Sequence, residues 1–150
     1  MYIIFMKIST RGRYALKFMC DLAQHDNGGY LTLKDISERQ GISVKYLEQI
    51  TALLSKLGLL TSVRGPQGGY RLSRSPESYT IKEILYATEG ALYSVDNPAL
   101  LQNNTENRDA CSTQFIWEGL EKVIDGYLNS ITLQTILEKN NSWGKDDYCI

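Results

Sequence analysis

Cysteine is scarce in this chain and nowhere paired. Cys20, Cys111 and Cys149 are odd in number and widely separated, which excludes a disulfide framework and any zinc motif of the paired C-x-x-C type. Free thiols are the expectation, and no metal ligand set is read from spacing. The one histidine, His25, lies against an Asp-Asn-Gly sequence and reads as a surface turn residue, not a ligand. Long apolar runs are missing too: none approaches the ~20 residues that span a bilayer. Met1-Tyr2-Ile3-Ile4-Phe5 is apolar but too short for a signal-peptide core, and it lacks a small-residue cleavage site. A cytoplasmic protein without a membrane partner is expected. Internal repeats, a phosphate loop, a nucleophile beside a base and a carboxylate pair at recognisable spacing are all wanting, so an enzyme is not expected.

What is present begins with charge. The net charge of -1 over 150 residues hides a division. Up to Arg74 there are 11 Lys/Arg against 5 Asp/Glu, and from Ser75 onward 5 against 12, or +6 and -7. A basic half joined to an acidic half is the footprint of a polyanion-binding module carrying a separate regulatory part; a chance dipole on an ordinary globule is the alternative. The hydrophobic fraction of 43% allows a real core, and the length suits one compact domain, or one domain with an appended dimerisation element.

Periodicity and caps divide the chain. Residues 1–6 read as an N-terminal extension. Ser9 or Thr10 caps a first helix whose Ala15, Phe18, Met19, Leu22 and Ala23 share one face, ending near His25 to Gly29. Thr32 opens a short helix that stops at Gly41. Ser43 caps the next, which carries Leu47, Ile50, Leu54 and Leu57 as an apolar stripe up to Gly58. Two helices joined by so tight a turn meet steeply. Leu59 to Arg64 and Tyr70 to Arg74 read as strands around a glycine-rich connection, a β-hairpin wing. Thr80 caps a helix to Glu89, completing a winged helix-turn-helix DNA-binding domain over 7–90. Residues 91–111 read as a flexible loop. Over 112–139, Ile116, Leu120, Val123, Ile124 and Tyr127 stripe a long helix that needs a partner surface, and Thr132 caps a short final one. Residues 140–150 read as a disordered tail. The expected fold class is mainly α with a small β wing.

A helix-turn-helix works because its second helix fits a major groove roughly 12 Å wide and meets base edges with its N-terminal residues. Here those residues are Ser43, Val44, Lys45, Tyr46, Glu48 and Gln49. Gln49 can read adenine, Glu48 can accept from the cytosine amine, and Ser43, Lys45 and Tyr46 can hold phosphates or bases. The alternative is the solvated face of a core helix. Arg64, at the end of a wing strand and just before glycines, is placed to enter a minor groove. Lys7, Arg11 and Arg13 add phosphate contacts at the start of the first helix, together with its N-terminal amides. Arg71 and Arg74 either extend this basic strip or are ordinary surface charges.

Three segments, MKISTRGRYAL, DISERQGISVKYLEQI and VRGPQGGYRL, resemble the matching segments of the IscR/CymR regulators, winged-helix proteins of the Rrf2 family, over about residues 6 to 139. The resemblance implies a homodimer whose long helices cross and whose two heads contact a pseudo-palindrome in double-stranded DNA. It also implies that Tyr46, Glu48, Gln49 and Arg64 touch DNA. Lys45 stands where IscR-type sequences carry a small hydroxyl residue, a departure that bears on site preference.

IscR-type members hold an iron-sulfur cluster through three cysteines at six-residue spacing, with a nearby histidine. Cys111 matches the third cysteine, but Thr105 and Ala99 stand at the other two positions and Gln114 at the histidine's. No cofactor is therefore expected, since a cluster needs several soft ligands. Cys111 is either a small packing residue or a helix-start thiol acting as a redox sensor; Cys20 reads as packing. The C-terminal Asp146-Asp147-Tyr148-Cys149-Ile150 resembles the ends of serine acetyltransferases, which finish in Ile and plug cysteine synthase (O-acetylserine thiol-lyase), and of the CymR regulators. A CymR-like repressor of cysteine or sulfur metabolism genes, bound to that enzyme through Tyr148 and Ile150, is the leading expectation. The alternatives are a redox-responsive or cluster-responsive IscR-type regulator and a protein-interaction subunit acting mainly on a metabolic enzyme.

Overall fold

Capping chemistry sets where the helices begin in the computed structural model, which describes residues 5–6, 8–90, 93–94 and 113–146. Ser9, Thr32, Ser43 and Thr80 are extended in backbone, and each side-chain oxygen accepts from the amide three residues on. They open α1 (Thr10–Gln24), α2 (Leu33–Gln40), α3 (Val44–Lys56) and α4 (Ile81–Glu89). Each such cap contributes about 1 kcal/mol. Between α2 and α3 the chain turns through Gly41 at φ 67°, a left-handed conformation that an L side chain resists. Ile42 follows it into the core, and that anchor fixes the turn between the two helices.

The wing is an antiparallel pair, β2 (Leu60–Val63) and β3 (Gly69–Leu72), with Leu60 opposite Leu72 and Val63 opposite Gly69. Leu31 extends it by exchanging backbone hydrogen bonds with Tyr70, at 2.9 and 2.8 Å. The wing is thereby tied to the entry of α2. Gly69 permits that approach, because a Cβ there would lie 2.3 Å from the Leu31 carbonyl oxygen.

One buried cluster joins these elements: Phe18, Met19 and Leu22 of α1, Ile36 of α2, Leu47, Ile50 and Leu54 of α3, with Leu59, Tyr79, Ile84 and Leu133. Fully burying a side chain of this size contributes roughly 1.5–3 kcal/mol. The expected stripes on α1 and α3 face it, except that Ala23 is only half-buried and Leu57 stands exposed beyond the last turn of α3. A second cluster, Ile81, Leu85 and Leu128 with Ile124 and Ile136 packed against it, joins α4 to α5 (Gln114–Ser130) and α6 (Leu133–Asp146). Lys82 and Asp125 pair across α4 and α5 at 2.8 Å. The architecture is mainly α with a small β wing, a winged helix-turn-helix plus a long helix.

The chain departs from the sequence reading in three places. The last helix continues past Lys139 to Asp146, so residues 140–146 are helical, not a disordered tail. Once Leu133 is fixed in the core, propagation adds one hydrogen bond per residue, and Asn140 and Asn141 are weak formers, not breakers. Phe5–Met6 of the supposed extension form β1, antiparallel to β4 (Tyr93–Ser94) inside the supposed loop. Leu133 also belongs to the core of the winged head, with its amide donating to the Tyr79 carbonyl at 3.1 Å. Residues 95–112 and 147–150 lie outside the described residues.

Candidate nucleic-acid interface

The N-terminal half of α3 projects its polar residues outward because Leu47, Ile50 and Leu54 take the opposite face into the core. Lys45, Glu48 and Gln49 are exposed and Tyr46 is half-buried. The Tyr46 ring meets Tyr14 of α1 edge-on, with centroids 5.5 Å apart and planes at 82°, so α1 holds Tyr46 in place. Lys17 Nζ stands 5.7 Å from the same Tyr14 ring. Ser43 Oγ accepts from the Tyr46 amide at 3.2 Å, which leaves its own hydroxyl proton free to donate outward. Beneath this face Thr51 is buried, and its hydroxyl donates to the Glu48 carbonyl at 3.0 Å.

Two shallow depressions flank α3. The first lies between α3 and the start of α1 and is lined by Ser9, Arg11, Arg13, Tyr46 and Gln49. The second lies between α3 and the wing and is lined by Glu48, Thr51, Ser55, Ser62 and Arg64. Arg11, Tyr46, Gln49, Glu48 and Arg64, which the sequence places as far as 53 positions apart, therefore share one surface with the reading helix at its middle. Arg64 is exposed just past β2, where Gly68 N–H donates to the Gly65 carbonyl at 2.9 Å and closes the turn. Lys7, Cys111, Tyr148 and Ile150 lie outside the described residues.

The cations of the winged head separate into two groups. Arg39 pairs with buried Asp21 at 2.7 Å, and Arg74 pairs with Glu83 at 2.7 Å while its guanidinium lies 4.4 Å from the Tyr79 ring centre. Arg71 lies over the Tyr30 ring at 4.7 Å. Arg74 is thus engaged within the head, by an ion pair and an aromatic ring. Arg11, Arg13, Lys45 and Arg64 have no carboxylate partner among the described residues. Lys17, Lys34 and Lys56 are likewise exposed and outside any ion pair among the described residues, but Arg11, Arg13 and Arg64 are the ones that line the depressions beside α3, an arrangement that attracts a polyanion.

One expectation is narrowed. The N-terminal amides of α1 were to be offered to phosphate, yet two of them are taken from within: Glu89 of α4 accepts from the Ser9 and Gly12 amides at 3.1 and 3.0 Å and from the Ser9 hydroxyl. The Thr10 and Arg11 amides and the side chains of Arg11 and Arg13 are left to face the depression. Nothing in local periodicity signals this contact; Gly12 on the buried face of α1 is the one trace of it in the sequence. Cys20 is half-buried on α1, and burial followed by the neighbouring Asp21 charge pushes its thiol up to about 11. It is a poor thiolate, packed as expected. Among the described residues no group of three or more His, Cys, Asp or Glu converges on a metal-sized site.

The family model for Rrf2, an iron-dependent transcriptional regulator family, matches residues 8–139. An HTH-type transcriptional regulator of Haemophilus influenzae is 41% identical over 136 residues, covering 91% of this chain and 89% of its own. The solved structure of T. potens IscR shares 41% identity with a TM-score of 0.70, covering 89% of this chain and 88% of its own. That of CymR, the global cysteine regulator of B. subtilis, shares 31% identity with a TM-score of 0.71, covering 90% and 98%.

Proposed function

The chain belongs to the Rrf2 family of transcriptional regulators, among its IscR/CymR-type members, and on that premise we propose that it is a homodimeric, sequence-specific repressor. The observation that carries this reading is the shared surface of α3, the start of α1 and the wing, where Arg11, Arg13, Lys45 and Arg64 lack carboxylate partners among the described residues. In the proposed complex the first turns of α3 enter the major groove. Gln49 and Glu48 meet base edges, Ser43, Lys45 and Tyr46 hold the backbone, and Arg64 reaches the adjacent minor groove. Lys7 is assigned to phosphate alongside Arg11. Acting on DNA, the protein works in the cytoplasm.

Pairing through α5 is supported by its uncovered apolar face. Phe115, Ile116, Leu120, Val123 and Tyr127 are all exposed in the single chain, Val123 at 68%, and such a stripe calls for a second copy. Two heads related by a two-fold axis match two half-sites of a pseudo-palindrome.

Regulation of cysteine or sulfur metabolism genes is supported by likeness to CymR and by the ending Tyr148-Cys149-Ile150. The acidic, aromatic and then apolar order of these residues suits a pocket such as that of cysteine synthase. The likeness to IscR favours a second reading, control by iron-sulfur chemistry or by oxidation at Cys111. The donor set does not fit a resident cluster: of three thiols, Cys20 is packed in the head as a protonated group, leaving Cys111 and Cys149 where three thiolates are needed. The redox form of this reading needs only Cys111.

Anisotropy of a labelled operator fragment across a salt series tests the DNA-binding core of the proposal. The five cations assigned to DNA in each of two heads, Lys7, Arg11, Arg13, Lys45 and Arg64, set a slope of log K against log salt of about -9 when each neutralises one phosphate. A slope near zero refutes it.

A further inference from the structure

Glu89 is the last residue of α4, but its carboxylate serves the start of α1. Its Oε1 accepts from the Ser9 and Gly12 amides and from the Ser9 hydroxyl. α1 has no acidic residue in its own first turn, so Glu89 brings in from across the sequence the negative charge that a helix N-terminus favours. Gly12 makes room for it, since a Cβ there would lie 2.5 Å from Glu89 Oε1. Arg11 and Arg13 flank Gly12, and both line the depression that holds Tyr46 and Gln49. The pairing of Phe5–Met6 with Tyr93–Ser94 ties the same two chain segments together a second time.

We infer that Glu89 is a positioning residue for DNA recognition: seated on the first turn of α1, it fixes where Arg11 and Arg13 stand relative to Tyr46 and Gln49 on the reading helix. The inference rests on the DNA-binding reading above. The carboxylate occupies the Ser9 and Gly12 amides, which shifts phosphate binding toward the Arg11 and Arg13 guanidinium groups. Their register against the base-reading residues then depends on one contact between α4 and α1. That contact spans 77 residues to Gly12 and 80 to Ser9.

The test compares operator affinity and its salt dependence for the full-length parent, Glu89→Ala, Glu89→Gln and Gly12→Ala, each well below its melting temperature. The parent's salt slope reports on the DNA reading by itself, and a flat slope there defeats that reading whatever Glu89 does. Given a steep parental slope, Glu89→Ala and Gly12→Ala each weaken operator binding about tenfold and make the slope shallower by about 0.9 for every phosphate that is no longer neutralised. Glu89→Gln keeps an acceptor oxygen and retains binding close to the parent's. Gly12→Ala separates the alternatives, because alanine is the better helix former: without a role for the carboxylate it raises the melting temperature and leaves binding unchanged. Since both changes break the same interaction, the double variant binds no worse than either single one. Parental affinity and slope in Glu89→Ala and Gly12→Ala would overturn the inference. So would weaker binding at an unchanged slope, which marks general loosening of the fold.

Discussion

Replacing Tyr79 by Phe probes the joint between the reading helix and the wing. Tyr79 is fully buried, and its hydroxyl donates to the Leu59 carbonyl at 2.8 Å while accepting from the Ser73 and Arg74 amides at 2.9 and 3.0 Å. Leu59 leads into β2, and Ser73 and Arg74 follow β3, so one oxygen gathers both ends of the hairpin. Phe keeps the ring and its packing but strands a buried carbonyl and two amides. A stranded buried group costs about 1–3 kcal/mol, and since the amides are partly open to water, the total comes to about 3 kcal/mol. In a chain of this length that lowers the melting temperature by about 6–12 °C. Thermal unfolding followed by circular dichroism at one fixed protein concentration measures it, because the melting point of a paired protein depends on concentration. Tyr79→Phe should also weaken operator binding at temperatures where it is fully folded, since Arg64 rides on the hairpin. A variant within about 0.5 kcal/mol of the parent, the range of ordinary surface changes, would refute the reasoning.

Other perturbations give equally definite outcomes. Arg64→Ala should weaken specific binding by about 1–3 kcal/mol without shifting the melting temperature, and an unchanged footprint removes Arg64 from the interface. Burial raises the Asp21 carboxyl, but hydrogen bonds from Arg39 and Gln40 and the Arg39 charge outweigh it and hold its pKa below the ordinary 3.8. Asp21→Asn, which gives up charge-assisted hydrogen bonds to a partner still open to water, should cost about 1.5–3 kcal/mol near neutral pH. Because the folded pKa is the lower one, the stabilisation is complete above 3.8 and disappears as pH falls through the folded value; denaturant titrations of both proteins check whether the gap closes only there. Val123→Asp should convert the protein to monomers in sedimentation velocity, and a parental dimer would clear α5 of the role. Removing Ile150 should abolish binding to cysteine synthase in calorimetry while leaving the DNA affinity of the regulator alone unchanged; retained enzyme binding sinks the tail proposal.

Local chemistry made much of this molecule readable in advance. Ser9, Thr32, Ser43 and Thr80 mark helix starts because a cap acts within three residues, and Phe18, Leu22, Leu47 and Leu54 mark core faces because helical spacing is a local property. The base-reading candidates Tyr46, Glu48 and Gln49 follow from position on the second helix of a tight pair. The contacts that spacing does not encode stayed hidden. Glu89 reaching α1 and Leu133 entering the head depend on how distant segments return to one another. The Tyr79 hydroxyl gathers two chain segments that are separate in the sequence. Leu57 continues the α3 stripe in the sequence but stands exposed, because the helix ends before its turn is completed.

Leu133 has a consequence for the order in which the protein is made. It fills the core among residues of α1, α2 and α3, yet it is synthesised after the whole of α5. At about 5–20 residues per second, a growing chain carries its helix-turn-helix and wing for several seconds with that slot empty. During this interval the apolar face of α5 has already been built. A message broken before codon 133 therefore yields a head short of one core side chain and less stable by about 2–5 kcal/mol, so truncated products are poorer competitors for the sites of the finished regulator.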